Sequence, residues 1–307
     1  MDARARVREY LRGGAADRPV VLAFTLDLAA RVASATRAGL LADPHLLSVG
    51  LRDAVRLCSL DSAVLALRSA ELPGLATGTP PSDIACLAVC AEALARLRIL
   101  LGDSAGITVL LPGPLTLLAQ AASEAVPAGM AGTDHLEDAG MCLLGAATFL
   151  GPARLDTLGV WEEAPVAEAA CLRDPLTPLW NAASFYSMPS LFIARVAGAD
   201  AGSVGACAVA VLHDSIAEAL AGAGAARVGF PIRPPPAPQL DAVPRNGFLI
   251  TAGEVPAEAD MTWLQELTVK ARFRRDALTW SEDEADTEMP SARDWPPLLP
   301  ELGHVSA

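Results

Sequence analysis

Short apolar runs recur along the chain, and the residues that follow them are the ones able to do chemistry. Asp27, Arg68, Trp161 with Glu162 and Glu163, Arg195, His213 with Asp214, Arg233 and Glu254 stand at the ends of such runs, and another run ends on the Pro112-Gly113-Pro114 turn. Strand ends meet solvent, so polar residues collect there in any protein. The weight lies in the set, because nearly every run ends on an ionisable group although only 19% of the chain is charged. Three arginines and several carboxylates facing one cavity are costly unless paired or occupied by a ligand. Arg68, Arg195 and Arg233 could grip a carboxylate or phosphate through paired N–H donors. His213 suits a general acid or base near neutral pH, while Asp214 reads as the N-cap of a following helix. Glu162 and Glu254 could carry a proton if burial raised their pKa. Asp27, Trp161 and Gly113 complete the candidate substrate-binding set, with Trp161 equally readable as core packing.

Other chemistries lack their residues. There is no G-x-S-x-G elbow, phosphate-binding loop or dinucleotide fingerprint. Cys58, Cys86, Cys90, Cys142, Cys171 and Cys207 are dispersed among apolar neighbours without C-x-x-C spacing. They read as small hydrophobes in a reducing compartment. His213 and Cys207 lie on one run, about 20 Å apart at ~3.3 Å per residue, too far to share an ion. No metal and no cofactor is expected. His45 and His135 read as surface residues, and His304 falls in the C-terminal segment.

The elements that must position this set follow from the same runs. Eight candidate strands cover residues 19–25, 62–67, 107–113, 155–161, 190–196, 207–212, 227–232 and 247–253, the seventh weakened by Gly229 and Pro231. Helical patterns occupy 28–40, 44–58, 82–101, 133–150, 165–186, 214–222 and 256–278, with Ser82-Asp83 as an N-cap pair for the third. Alternating strands and amphipathic helices argue for βαβ units and a parallel sheet. Eight such strands can close on themselves and lose both edges, so an α/β (β/α)8 TIM barrel is expected rather than an open doubly wound sheet. Chemistry in such a barrel sits at the C-terminal ends of the strands. The domain reading is an N-terminal helix across the bottom (1–14), the barrel (15–280) and an acidic, proline-rich tail (281–307).

Composition narrows the partners. The net charge is −13 and the pI near 4.7, which repels nucleic acid and anionic membrane surfaces. Mean hydropathy is high at +0.35, yet the longest apolar stretch is broken by Pro112, Gly113 and Pro114, so no membrane span is expected. The charged N-terminus does not read as a signal peptide, which makes the cytoplasm the expected location. Lys270 is the only lysine, which leaves Schiff-base chemistry no other position.

Several segments together resemble the uroporphyrinogen decarboxylase-like superfamily, whose barrel is shared with cobalamin-dependent methyltransferases and cobalamin-independent methionine synthase. They are DRPVVLAF, LDSAVLAL, LARLRILLGDSAGITVLLPGPLTLLAQ, LGPARLDTLGVWEEAP, MPSLFIARVAG and NGFLITAGEVPAE, spanning roughly residues 15–277. The Gly113-Pro114-x-Thr116 motif is the most specific piece. The resemblance implies positions as well as a fold. The decarboxylases' arginine-rich segment falls on Phe24-Thr25-Leu26-Asp27-Leu28, their essential aspartate on Arg68 and their last-strand histidine on Glu254. Glu162 takes the place of an aspartate in the same pattern. The methyltransferases' zinc-binding His-x-Cys falls on Ala194 and Val196, which flank Arg195. Classical uroporphyrinogen decarboxylation is therefore not expected.

These readings lead to a metal-independent lyase of the decarboxylase type, acting on a small anionic substrate through arginine clamping and acid–base catalysis. A methyl or alkyl transferase with altered ligation is the alternative within enzymes. A non-catalytic barrel that binds a ligand or partner protein is the alternative outside them. The resemblance and the apolar composition are both compatible with a homodimer.

Overall fold

Apolar runs bounded by turns dictate strands that are covered on both sides. The computed structural model, which describes residues 2–12, 20–123, 133–162, 169–194, 204–206, 208–211, 227–232 and 247–251, forms a strand at each of the eight runs. They are β1 (Val21–Leu22), β2 (Ser62–Ala66), β3 (Gly106–Pro112), β4 (Thr157–Trp161), β5 (Ser190–Ala194), β6 (Ala208–Val211), β7 (Arg227–Ile232) and β8 (Gly247–Thr251). All pair in parallel, in the order β1-β8-β7-β6-β5-β4-β3-β2. The two ends of that order are themselves joined, because Phe24 forms a parallel bridge with Val64. Beside the bridge, Thr25 Oγ1 accepts the Val64 N–H at 2.9 Å and donates to the Ala23 carbonyl at 2.8 Å. A side chain thus continues a ladder that the short β1 cannot supply. β7 forms in full despite Gly229 and Pro231.

The described helices are α1 (Ala3–Leu11), α2 (Thr25–Val32), α3 (Arg37–Leu40), α4 (Pro44–Leu57), α5 (Ala85–Leu101), α6 (Pro114–Ser123), α7 (Thr133–Leu150) and α8 (Arg173–Phe185). Four differ from the sequence expectation, beginning with the single helix read over 28–40, which is broken into α2 and α3. Thr25 begins a helix instead of ending a strand. Ser82 and Asp83 lie in a separate 3-10 turn, so α5 starts later, after Ile84, with no side-chain cap. Pro112-Gly113-Pro114 is the entry to α6, which the sequence reading did not foresee. Proline suits the first helical position because its missing N–H would be unpaired there anyway.

Side-chain alternation separates two cores. Leu22, Phe24, Val64, Ala66, Leu110, Leu191, Ile193 and Ala208 pack together on one face, with Val7, Tyr10 and Leu11 of α1. Val21, Leu65, Val109, Val160 and Phe192 face the helices on the other. Gly159 is required on the first face, since a Cβ there would lie 2.4 Å from Leu110 Cδ2 and 2.8 Å from the Leu191 carbonyl.

Acids that start the strands hold α1 at their N-terminal ends. Arg6 pairs with buried Asp61 at 3.1 Å. Arg4 Nε donates to Asp156 Oδ1 at 2.7 Å, and Arg98 of α5 pairs with the other oxygen. That oxygen also accepts the Ile107 N–H at 2.9 Å. Among the described residues, no helix is long and apolar enough to cross a membrane.

Candidate functional site

Because the strands are parallel, Phe24, Leu67, Pro112, Trp161 and Ala194 mark one common edge of the sheet. Trp161 ties three strands together there. Its Nε1–H donates to the Leu67 carbonyl at 2.9 Å, and its ring meets Phe24 edge-to-face, centroids 5.5 Å apart at 80°. The indole is only half-buried. It forms an aromatic floor over the inner core, and packs as the core reading of this residue expects.

Glu162 follows at once and is 2% exposed. Its carboxylate accepts the Leu115 N–H at 3.1 Å, the Thr116 N–H at 2.9 Å and the Thr116 hydroxyl at 2.6 Å. These are first-turn donors of α6, where a helix leaves its N–H groups unpaired and its dipole favours an anion. Glu162 thus serves as a helix cap delivered from the neighbouring strand. A Cβ at Gly113 would sit 2.0 Å from the Glu162 carboxyl carbon, so the missing side chain there admits that carboxylate.

A second cluster stands beside the floor. Asp27, in the first turn of α2, accepts from Arg37 Nη1 with both oxygens at 3.1 and 3.2 Å. Arg37 also binds Glu71 through Nε and Nη2, the latter at 3.0 Å, and donates to the Ala66 carbonyl at 2.7 Å. Glu71 takes the Arg68 backbone N–H at 2.8 Å. The Arg68 guanidinium approaches Asp27 at 3.9 Å and is 34% exposed, against 15% for Arg37. Burial alone would lower the Arg37 pKa, but Glu71 and then Asp27 outweigh it and the guanidinium is raised. Two acids and two arginines make the cluster neutral, with Arg68 its most exposed cation.

Sequence reasoning found Asp27 and Arg68 but missed Arg37 and Glu71. The sequence reading put Arg37 in the last turn of a helix over 28–40, where a cation suits the dipole, whereas the structure makes it the first residue of α3. His213, Arg195, Arg233 and Glu254, with Glu163 and Asp214, lie outside the described residues. Of the positions where the resemblance puts zinc ligands, Ala194 is buried against the helices and Val196 has no donor atom. Among the described residues no three His, Cys, Asp or Glu side chains group as metal ligands.

No family model and no curated protein sequence matches the chain. In structure it is similar to a methyltransferase from Methanosarcina mazei, at 16% identity and a TM-score of 0.68 over 91% of this chain and 99% of that one. The likeness shows a shared fold, a mixed α/β architecture with a parallel sheet.

Proposed function

We propose that the sheet is a closed (β/α)8 barrel of the uroporphyrinogen decarboxylase-like superfamily, and that the protein is a methyl- or alkyl-transferase of that superfamily. The observation that carries this reading is the end-to-end likeness to a methyltransferase, which leaves almost none of that chain unmatched. The Phe24–Val64 bridge supports closure, because it joins the two strands that would otherwise be edges.

In this reading the substrate lies over the half-buried Trp161 ring, backed by Phe24, which offers an apolar surface for a methyl or alkyl group. Arg68 is the anchor for an anionic group, since it is the exposed cation of the neighbouring cluster. Asp27 and Arg37 hold Arg68 and the end of β2 in place. His213 and Glu254 are offered as proton carriers on sequence grounds alone. The positions that would carry zinc lack donor atoms, so no step is routed through that metal, and acceptor activation falls to the protein's acid–base groups. A homodimer in the cytoplasm remains part of the proposal.

The experiment is a donor screen. Purified protein is mixed with Co(I) cobalamin and methylated thiols, amines, ethers or alcohols, and methyl-cobalamin formation is followed by visible absorbance. Turnover that falls at least tenfold in Arg68→Ala supports the proposal. A second reading, decarboxylation of a small carboxylic acid, is favoured by the Arg68 guanidinium beside an apolar floor. Carbon dioxide release without methyl transfer would replace the first reading by the second.

A further inference from the structure

We propose that Cys86 and Cys90 form a two-thiol site for a soft monovalent cation of the copper(I) class. The two lie four residues apart on α5, on one helix face, with sulfurs 4.0 Å apart. Cys90 is fully buried and Cys86 is half-buried, so the pair has one closed and one open side. The same four-residue spacing lets paired histidines hold a metal from a single helix.

Geometry separates this from a disulfide. Side chains four apart on a regular helix keep their Cβ atoms about 5–6 Å apart, whereas a disulfide needs about 3.5–4.5 Å. An ion bridging two sulfurs bound to separated Cβ atoms leaves the helix intact. No third His, Cys, Asp or Glu joins the pair in a metal-binding group among the described residues. Zinc, which takes four ligands in structural sites, is poorly served, while thiolates favour copper(I).

Binding breaks two S–H bonds and forms two S–Cu bonds. Two protons leave to solvent, the cation sheds its previous ligands, and no electron moves. The product carries one net negative charge in the first turns of a helix with no side-chain N-cap, where the dipole favours an anion. Glu71 opposes that charge and Arg37, the smaller influence, attracts it. Without an ion, the hydrogen bond to Cys86 and then burial hold the Cys90 thiol well above its ordinary pKa.

The test is anaerobic titration of the reduced full-length protein with copper(I) bicinchoninate, whose colour reports copper withdrawn by protein. The wild type should withdraw one equivalent that Cys86→Ser and Cys90→Ser both lose and that Cys58→Ser and Cys171→Ser keep. X-ray absorption of the copper form should show a two-sulfur shell. Cys86→Ser, changed at a half-buried position, keeps the test valid if Cys90→Ser unfolds, and far-ultraviolet circular dichroism checks both. Undiminished copper uptake by folded Cys86→Ser would overturn the proposal, as would a wild type that leaves the colour unchanged.

Discussion

Replacing Glu162 separates a structural carboxylate from a catalytic one. It is buried and accepts from Leu115 N–H, Thr116 N–H and the Thr116 hydroxyl. A hydrogen bond to a charged group contributes about 1.5–3 kcal/mol, and a buried donor left unpaired costs about 1–3 kcal/mol. The three donors share one acceptor group, and the freed helix end can fray towards water, so the terms do not simply add. Glu162→Ala is expected to lose about 3–4 kcal/mol, a large fraction of a typical domain's stability. Glu162→Gln keeps the shape and one oxygen but turns an amide NH2 towards a donor, and should lose about half as much.

Gly113 supplies the internal control. Its added Cβ would strike the Glu162 carboxylate, so Gly113→Ala alone should also be destabilising. In the Glu162→Ala background the obstructing atoms are gone, and the same change should cost little. Urea unfolding of the four proteins gives the coupling directly. Costs that add within about 0.5 kcal/mol would refute the reasoning. So would a Glu162→Gln protein as stable as wild type but catalytically dead, since Glu162 would then belong to the chemistry.

Three further perturbations test other parts of the fold. Asp156→Ala removes a fully buried carboxylate shared by Arg4, Arg98 and the Ile107 N–H. It should cost about 3–5 kcal/mol and speed hydrogen exchange in α1, whereas unchanged α1 protection would dissociate that helix from the ion network. Trp161→Phe keeps a ring against Phe24 but loses the bond to the Leu67 carbonyl, for about 1 kcal/mol. Trp161→Ala should cost several times more, and equal losses would show that the aromatic contact contributes nothing. Asp43 caps α4, and its hydrogen bonds from Leu46 and His45 N–H hold its carboxyl below the usual range. A depressed folded pKa gives stability that is present above the unfolded value and lost as pH falls through the folded one. Asp43→Ala should therefore lower the melting temperature at neutral pH, and the gap should close in strong acid. A gap that persists there would contradict the assigned cap.

The strands were legible because their signal is local. Runs such as SAVLAL and ITVLLPG carry enough adjacent apolar residues to fix both place and type. α6 was not legible, because Pro112-Gly113-Pro114 reads as a turn and the carboxylate that caps the helix comes from 46 residues away. Arg37 was missed for the same reason, since its partners Asp27, Ala66 and Glu71 are assembled by the fold. Ser82-Asp83 failed in the opposite sense. The local signal was right for a helix start, but Pro81 drew those residues into a 3-10 turn and left the α5 start to Ile84.

The two ends of the sheet use charge differently, and the difference bears on where the proposed ligand could bind. At the N-terminal end, Asp61 and Asp156 are almost fully buried, and arginines from α1 and α5 neutralise them. A ligand entering there would have to displace α1, strip those acids of their cations and expose Val7, Tyr10 and Leu11. Breaking one such buried pair alone costs about 3–5 kcal/mol. At the other end, Asp27, Glu71, Arg37 and Arg68 keep between 15% and 34% of their side-chain surface in solvent. Arg68 approaches Asp27 at 3.9 Å, a separation at which solvent still screens the pair. An anionic ligand could recruit that guanidinium while Asp27 keeps its pair with Arg37, and the one net negative charge this adds sits at the solvent-exposed rim. The energetic asymmetry therefore supports the proposed binding at the Phe24–Trp161 end, and it makes Arg68, rather than the buried Glu162, the first residue to test there.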